Sequence, residues 1–284
     1  MKISGRTWPN SLLRWGFVAI ATFPLLAGLV YAALYSVGLA GALSDGFTWR
    51  HWQALWAEGV LWQTLGFSLY IAVVSIALSW LGALWLVWLS RGRLQKGVLG
   101  YLLFLPLGIP AIAAAFFIFQ WLGSTGWLSR LADQIGLIQQ PQDFPNWVND
   151  PFGIGILAAH ILLALPFFTL LLANIYRQER LSALIVLGQT LGASTYQQVR
   201  RIVIPLLWQR SRPVVLVYLL FVLGSYEIPL LLGRSHPEMV SVFVIRKLQR
   251  FSLDTIPQGM AMAVLYVVLV LLALFLFYRK RRVI

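Results

Sequence analysis

Six long apolar runs dominate the 284-residue chain and restrict it to one broad structural class. An α-helix needs roughly 20 such residues to cross a bilayer core of about 30 Å. The sequence is 60% hydrophobic and 11% charged, well outside the usual composition of soluble domains. We therefore expect an all-α integral membrane protein with one transmembrane domain over residues 1–284. The six spans are predicted at about 15–38, 64–90, 97–122, 153–176, 207–233 and 257–278.

Basic residues are concentrated on one of the two sides that six spans define. If both termini lie on that side, it carries 16 Lys and Arg residues and a single acid, Glu179, whereas the opposite side carries six basic residues and seven acids. Loops rich in Lys and Arg lie in the cytoplasm, so we expect cytoplasmic termini. The net charge of +13 then reflects membrane orientation, and nucleic-acid binding is not indicated. The 16 residues are Lys2, Arg6, Arg14, Arg91, Arg93, Lys96, Arg177, Arg180, Arg200, Arg201, Arg210, Arg212, Arg279, Lys280, Arg281 and Arg282.

Several kinds of site are excluded by what the sequence lacks. It contains no cysteine, which excludes disulfides and thiolate metal sites, and its three histidines are too far apart in sequence to predict a metal site. It also contains no Gly-Lys dipeptide and hence no Walker A phosphate loop, so the chain is not itself an ATPase. An intramembrane enzyme built on His160 and Glu227 would lack any recognisable nucleophile and base spacing.

Aromatic and basic residues in the predicted outer loops allow more than one interpretation. Four tryptophans between residues 49 and 62 recur at near-helical spacing, which indicates an amphipathic helix anchored at the membrane interface, with docking as the alternative. The long loop 123–152 combines a helical segment with turn-rich sequence. The basic loop at about 234–256 is explained either by a solvated helix surface or by a landing patch for an acidic protein.

Prolines and ionisable residues interrupt three of the apolar runs. Pro106 and Pro110 remove backbone donors from the third run, so we expect a bent or broken helix. The freed carbonyls must face protein or a water-filled path. A path-lining role, an ordinary kink and a helix that simply starts later all stay open. Glu227, which follows Tyr226 in the fifth run, is a functional candidate because ionisable residues are costly in a membrane. It either pairs with an outer-loop arginine or contacts a solute, and we expect His160 to be satisfied by a neighbouring helix.

The cytoplasmic loop 177–206 carries signals for a helix, a glycine corner and a second helix. Ser182 is placed to cap the first helix. Gly192 stands where a glycine ends a helix in the left-handed conformation. Pro205 is expected to end the second helix. The first helix has an apolar face that will seek a partner surface, formed by Leu184, Leu187, Gly188 and Leu191.

Capping signals start the second helix of this loop. Ser194 and Gln197 have the spacing of a capping box, and Thr195 and Gln198 have the same spacing one residue later. A second helix is therefore expected to begin at this point, immediately after the glycine corner.

The end of this loop resembles the signature of permease subunits of binding-protein-dependent ATP-binding-cassette importers, which share the MetI-like fold. That signature has a glycine, nine residues and then I-x-L-P, and Gly192, Ile202 and Pro205 are in register with it. Ala193 after the glycine is also typical. The signature's leading Glu-Ala-Ala is lost, since its glutamate falls on Val186. The resemblance covers essentially the whole chain, and GSYEIPLLLG is similar to the polyamine, thiamine and ferric iron branch.

The resemblance implies a mechanism in which this loop is a coupling helix. The helix would bind a groove on a cytosolic ATPase, and closure of an ATPase dimer would switch two permease subunits between inward-open and outward-open states. ATP and Mg²⁺ would be held by that partner, and no cofactor is expected in this chain. The implied coupling residues are Ser182, Leu184, Leu187, Gly188, Leu191, Gly192, Ala193, Ile202 and Pro205; Pro106, Pro110, Tyr226 and Glu227 would lie along the translocation path.

The resemblance also implies the setting of the protein. It would lie in a bacterial inner membrane among lipid, with a periplasmic solute-binding protein delivering a small polar or cationic solute such as a polyamine or thiamine. Loss of the glutamate at Val186 favours a heterodimer with a second, different permease over a homodimer. The alternatives are an importer of sulfate, molybdate or iron-type ions, and a secondary transporter. The latter would usually need more spans or paired broken helices, and one clear proline-broken span is present.

Overall fold

The computed structural model describes residues 10–41, 44, 46–57, 59–90, 98–250 and 253–279. Within these ranges the chain forms helices and connecting loops without a β-strand. The same ranges hold six helical segments that are long and apolar enough to cross a membrane, which confirms the all-α, six-span prediction. These segments are Leu13–Ser36, Val60–Ser90, Ala111–Gln134, Ile154–Gln178, Thr195–Leu223 and Leu253–Phe275.

Half of the basic residues used to predict the orientation lie outside the described ranges. The cytoplasmic position of the termini therefore stays a prediction. The residues concerned are Lys2, Arg6, Arg91, Arg93, Lys96, Lys280, Arg281 and Arg282.

The contacts divide the chain, expected to form one transmembrane domain, into two compact units. The first unit comprises Met1–Leu61 with Phe243–Ile284. Within it, helices α1 and α2 both pack against α13, and the indole N–H of Trp52 donates to Ser36 Oγ at 3.3 Å. The predicted tryptophan-rich helix is found only in part: Trp52 and Trp56 lie in α2, whereas Trp49 precedes it and Trp62 belongs to the next helix. Its position at the membrane interface stays a prediction. The bounds are α1 (Asn10–Ser36), α2 (Arg50–Ala57) and α13 (Ile256–Arg279).

The second unit, Trp62–Val242, contains the candidate functional residues. Its centre is α7, against which α5, α10 and α11 pack. The indole N–H of Trp80 donates to the buried Ser211 Oγ at 3.0 Å and so ties α3 to α10. The helices are α3 (Val60–Ser90), α4 (Val98–Phe104), α5 (Ala111–Leu122), α6 (Trp127–Gln134), α7 (Ile154–Gln178), α8 (Leu181–Thr190), α9 (Thr195–Gln198), α10 (Ile204–Leu223), α11 (Glu227–Leu232) and, continuing into the first unit, α12 (Val240–Gln249).

The third apolar run is broken at its prolines. Helix α4 is followed by a 3₁₀ turn, Leu105–Gly108, and by the extended Ile109, whose N–H donates to the Pro106 carbonyl at 3.2 Å. Pro110 then stands at the N-cap of α5, where its missing N–H costs no helical hydrogen bond. The prediction of one span over 97–122 is therefore wrong in its bounds, whereas the expected break is confirmed.

The fifth apolar run also differs from its predicted bounds of 207–233. The helical segment begins earlier, at Thr195, and ends at Leu223. Residues 224–226 interrupt it, and the short helix α11 follows. Two of the spans thus contain irregular backbone, which is tolerated at membrane depth where it is buried in protein or lines an aqueous cavity.

Candidate functional site

Helix α8 begins at a left-handed corner formed by an arginine. Arg180 is the N-cap residue and has φ 48° and ψ 41°, a conformation that is uncommon outside glycine, asparagine and aspartate. Ser182, predicted to cap this helix, lies one residue inside it, and that prediction is wrong. The corner is set by how α7 and α8 pack on each other, which local capping chemistry does not reveal.

Helix α8 ends at Gly192, as the sequence predicted. Gly192 has φ +78°, and its N–H donates to the Gln189 carbonyl at 3.0 Å. The N–H of Ala193 donates to the Gly188 carbonyl at 2.9 Å. These two bonds form a Schellman motif, which satisfies two carbonyls that a helix end would otherwise leave without a partner.

Helix α9 begins with the predicted capping box. Ser194 Oγ accepts from the Gln197 N–H at 3.3 Å, and Gln197 Oε1 accepts from the Ser194 N–H at 2.9 Å. The alternative pair, Thr195 with Gln198, does not form a box. Gln198 is instead buried and donates its amide to the Ala193 carbonyl at 2.9 Å, which holds the glycine corner against α9.

The helix that starts at Thr195 continues through Pro205, contrary to the prediction that it ends there. A π-helical turn, Val199–Val203, precedes the proline, and the Ile204 N–H donates to the Val199 carbonyl five residues earlier. In a regular α-helix the Pro205 ring would clash with the carbonyl of Arg201. The wider turn relieves this clash, so α9 and α10 form one helical arm that joins the loop to the fifth span.

The two sides of α8 have different surroundings. Leu181 and Gly188 are buried, and a Cβ added to Gly188 would lie 3.4 Å from Ile202 Cδ1, so the π-turn packs closely on this side. Of the predicted apolar face, Gly188 is thus covered, whereas Leu184, Leu187 and Leu191 are 36, 57 and 80% exposed. The three leucines form an unpartnered surface within the described chain, which we name the leucine face.

An ion pair links the beginning of the loop to the fifth span. Glu179 Oε1 accepts from Arg210 Nε at 2.7 Å. The pair joins the C-cap of α7 to α10, but the Arg210 side chain is 62% exposed, so its contribution to stability is expected to be small. The sequence analysis placed both residues on the cytoplasmic side without pairing them, because nothing in their separation in sequence predicts the contact.

A cavity of about 350 Å³ adjoins the opposite flank of α8. Ser182, Val186 and Gln189 line it from α8, and Trp88 and Tyr176 line it from α3 and α7. The side chains of this flank are uncharged. Ser182 and Val186, the position of the lost signature glutamate, therefore face the cavity and not the leucine face.

The predicted path residues lie at the two helix breaks. Helix α11, which begins at Glu227 after Tyr226, packs against α5, which begins after Pro110. Pro106 is half-buried and Pro110 is exposed. Glu227 is exposed and forms no ion pair with any described residue, so the expected pairing with an outer-loop arginine is not found in this part of the chain.

Comparison with known proteins agrees with this architecture. The family described as "Binding-protein-dependent transport system inner membrane component" matches residues 79–280, which include the loop 177–206 and both helix breaks. The chain belongs to this family. It is a permease of the binding-protein-dependent type, a class of membrane component that is not itself catalytic.

Relatives of this permease transport different solutes. The thiamine transport system permease protein ThiP of Salmonella typhimurium is 29% identical over 90% of this chain and 47% of its own length. The ThiP protein of Escherichia coli is 28% identical over 77% of this chain and 39% of its own. This permease thus spans less than half the length of these two relatives. The molybdenum transport system permease protein ModB of Azotobacter vinelandii is 24% identical over 76% of this chain and 88% of its own.

Solved structures show the same fold. A bacterial ABC transporter involved in the import of the acidic polysaccharide alginate matches with a TM-score of 0.68 and 19% identity, covering 98% of this chain and 99% of that one. The alginate transporter in complex with a pentasaccharide-bound periplasmic protein matches with a TM-score of 0.63. At this identity the likeness concerns the fold alone.

The segment before α7 is fixed to the ends of two helices. The Asp150 carboxylate accepts from the N–H groups of Phe152 and Ile154 at 2.8 and 2.7 Å and so satisfies the N–H of the first residue of α7, whose N-cap is Gly153. The Asn149 N–H donates to the Leu232 carbonyl at 2.9 Å, which joins the loop to the end of α11. The sequence analysis did not assign a role to Asp150, although an aspartate shortly before an apolar helix is a recognisable capping signal.

Two buried side chains of the permease, His160 and Lys247, differ from the sequence predictions. His160 of α7 is buried, and its Nε2 has no hydrogen-bond partner among the described residues, contrary to the expected contact with a neighbouring helix. Lys247 of α12 is also buried. Its Nζ donates to Gln258 Oε1 at 2.6 Å and lies 5.4 Å from the centre of the Phe243 ring, so Lys247 belongs neither to a solvated surface nor to a landing patch.

The first unit contains a polar cavity of about 450 Å³ lined in part by Arg50, His51 and Asp254. Partial burial, followed by the charge of Arg50, lowers the pKa of His51 below its ordinary value, and Asp254 acts in the opposite direction. His51 therefore tends to be neutral near pH 7. These residues do not resemble a metal site, and no cluster of three metal-ligating side chains occurs in the described ranges.

Proposed function

We propose that this chain is one permease subunit of an ATP-binding-cassette importer and that α8 couples it to a cytosolic ATPase. The observation that carries this proposal is the leucine face, held outward between the Arg180 corner and the Gly192 corner. An exposed apolar surface on a rigid element is characteristic of a protein contact. The family membership and the single helical arm from α9 to α10 support the same conclusion.

A second permease subunit is expected in the assembly. The match covers 47% of the Salmonella ThiP protein, so more than half of that relative lies outside the match, enough for another segment of this size. A complete path would then require either a second copy of this chain or a different permease. The absence of the signature glutamate at Val186 favours a different permease that carries the intact signature.

The cargo is proposed to be a small cationic solute delivered by a periplasmic binding protein. Two of the relatives named above are thiamine permeases, and thiamine is a cation. Glu227 supports this class because its carboxylate is exposed at a helix break and has no ionic partner among the described residues. The ModB relative makes an oxyanion the alternative cargo.

The proposed orientation places both termini, α8 and the loop 177–206 in the cytoplasm of a bacterial inner membrane. The excess of arginine in this loop supports it. ATP and Mg²⁺ would be bound by the ATPase subunits, which would supply the energy for the movement of α8.

Co-purification from the native membrane tests the proposal. A tagged chain in mild detergent should retain a protein that binds nucleotide and carries a Walker A sequence, and solute uptake should stop when ATP is depleted. Leu187→Ser with Leu191→Ser should abolish retention without lowering the amount of permease in the membrane. Uptake that continues without ATP, with no ATPase retained, would instead favour a secondary transporter.

A further inference from the structure

The leucine face carries no charge. Helix α8 contains no ionisable residue over Leu181–Thr190, and Leu187 and Leu191 of the leucine face are 57 and 80% exposed. Burial of such a surface against a partner is driven by the hydrophobic effect, which salt does not screen. An apolar contact alone would therefore give an association that is insensitive to ionic strength.

Exposed arginines lie in the segments that flank the leucine face. Arg180 immediately precedes α8, and Arg200 and Arg201 lie in the π-turn whose Ile202 lies close to Gly188 of that helix. All three are exposed, and none has an acidic partner among the described residues. Arg200 is held in position because its guanidinium donates to Tyr196 Oη at 3.0 Å and lies 5.9 Å from the centre of that ring.

The loop and the first turns of α10 contain one acidic residue that could balance these charges, and it already forms an ion pair with another arginine. Residues 177–212 contain six arginines and the single acid Glu179, which pairs with Arg210. Arg180, Arg200 and Arg201 thus present uncompensated positive charge at the start of α8 and in the π-turn that lies close to it. A protein that covers the leucine face while leaving these guanidinium groups in water would gain only the apolar contact.

We propose that the ATPase surface that receives α8 is an apolar groove bordered by carboxylates, which pair with Arg180, Arg200 and Arg201. This inference rests on the proposed function and specifies the chemistry of the partner. Anionic lipid is the competing partner for cytoplasmic arginines. Arg177, on the span α7, suits that role, whereas the three arginines named above belong to the segments that form and support the coupling element.

Titration of the co-purified ATPase against the permease tests this chemistry. The permease is placed in nanodiscs of phosphatidylcholine, and affinity is measured from about 50 to about 500 mM NaCl, over which the screening length falls severalfold. The wild-type affinity should fall by about tenfold across this range, because exposed ion pairs strengthen binding at low salt and are largely screened at high salt. The triple variant R180Q/R200Q/R201Q should bind about tenfold more weakly at low salt and like wild type at high salt.

Two controls separate the apolar centre from the charged border. Arg177→Gln, which removes an exposed arginine hydrogen-bonded to Asn174, should retain the wild-type salt dependence. Leu187→Ser should weaken binding at every salt concentration. All of the substituted arginines are exposed, so these variants are expected to fold normally.

Several results would overturn the inference. Wild-type affinity that is independent of salt, or a triple variant that binds like wild type, would exclude carboxylates at the border of the groove. If the triple variant differed from wild type only in discs that contain phosphatidylglycerol, the arginines would contact lipid instead. Absence of ATPase binding at every salt concentration would overturn the proposed function together with this inference, whereas salt-independent binding would overturn the inference alone.

Discussion

At the scale of single residues, Gly192 fixes the end of α8 through its backbone conformation. A Cβ added there would meet no atom within 4 Å, so the left-handed φ of +78° is the constraint. Gly192→Val should cost about 1–2 kcal/mol or more at this position, because side chains with a Cβ disfavour that region. We expect a strong loss of solute uptake with a normal amount of permease in the membrane. Gly192→Asn, which tolerates the left-handed conformation, should retain uptake, and normal transport by the valine variant would exclude a role for this corner.

The Glu179–Arg210 ion pair is expected to position the loop without contributing much stability. Its exposed arginine and 2.7 Å separation predict a coupling free energy of about 0.2–1 kcal/mol in a double-mutant cycle. The measurement compares unfolding free energies of Glu179→Gln, Arg210→Gln and the double variant in mixed micelles. A coupling energy several times larger would show that the pair is shielded from solvent in the assembled protein.

At the scale of helices, the close approach of α8 to the π-turn depends on Gly188. An alanine Cβ would lie 3.4 Å from Ile202 Cδ1 and 3.7 Å from Gln198 Cγ, which are ordinary contacts. Gly188→Ala should therefore be neutral or stabilise the helix by up to about 1 kcal/mol. Gly188→Leu should push α8 away from the helical arm and lower ATP-dependent uptake, which a transport assay of the two variants measures. Equal uptake by both would indicate that α8 does not move with this arm.

Local patterns in the sequence predict the ends of these helices only where the cause is local. The Gly192 corner and the Ser194 capping box follow from residues within one turn, and both were predicted correctly. The corner at Arg180 was missed because packing between α7 and α8 holds a residue with no intrinsic preference for that conformation. The prediction that the helix ends at Pro205 was wrong because the effect of a proline depends on whether the preceding turn can widen.

The same distinction applies to the broken spans. Pro106 and Pro110 predict the break before α5, since the proline ring acts directly on its own helix. The break before α11 was not predicted. It falls at residues 224–226, and Pro229 lies inside α11 in its first turn, where a missing N–H is harmless. Packing of α11 against α5 and α7 favours the break instead.

At the scale of the second unit, continuous helices extend from the loop 177–206 to residues 150–154 and to the break at residues 224–226. Helix α7 runs from Ile154, whose N–H donates to Asp150, to its C-cap residue Glu179. The helical arm runs from the capping box at Ser194 to the break at residues 224–226. A displacement of α8 would thus reach the two helix breaks through rigid elements, as coupling between distant sites requires. The breaks are where a change in backbone conformation costs least, because their hydrogen bonds are already interrupted.

The charge at the second break predicts which solutes this arrangement favours. Glu227 is exposed at the start of α11 and has no ionic partner among the described residues. If the cargo is a cation, Glu227→Gln should weaken binding of the cargo and raise KM by about tenfold or more, because hydrogen bonds to a charged group contribute about 1.5–3 kcal/mol. Transport of labelled thiamine in proteoliposomes containing the binding protein and ATPase measures the change in KM, with Glu227→Asp as the charge-preserving control.

For an oxyanion such as molybdate the sign of the change in KM reverses, because removal of the carboxylate relieves repulsion and should lower KM. An unchanged KM for both solutes would place Glu227 outside the path.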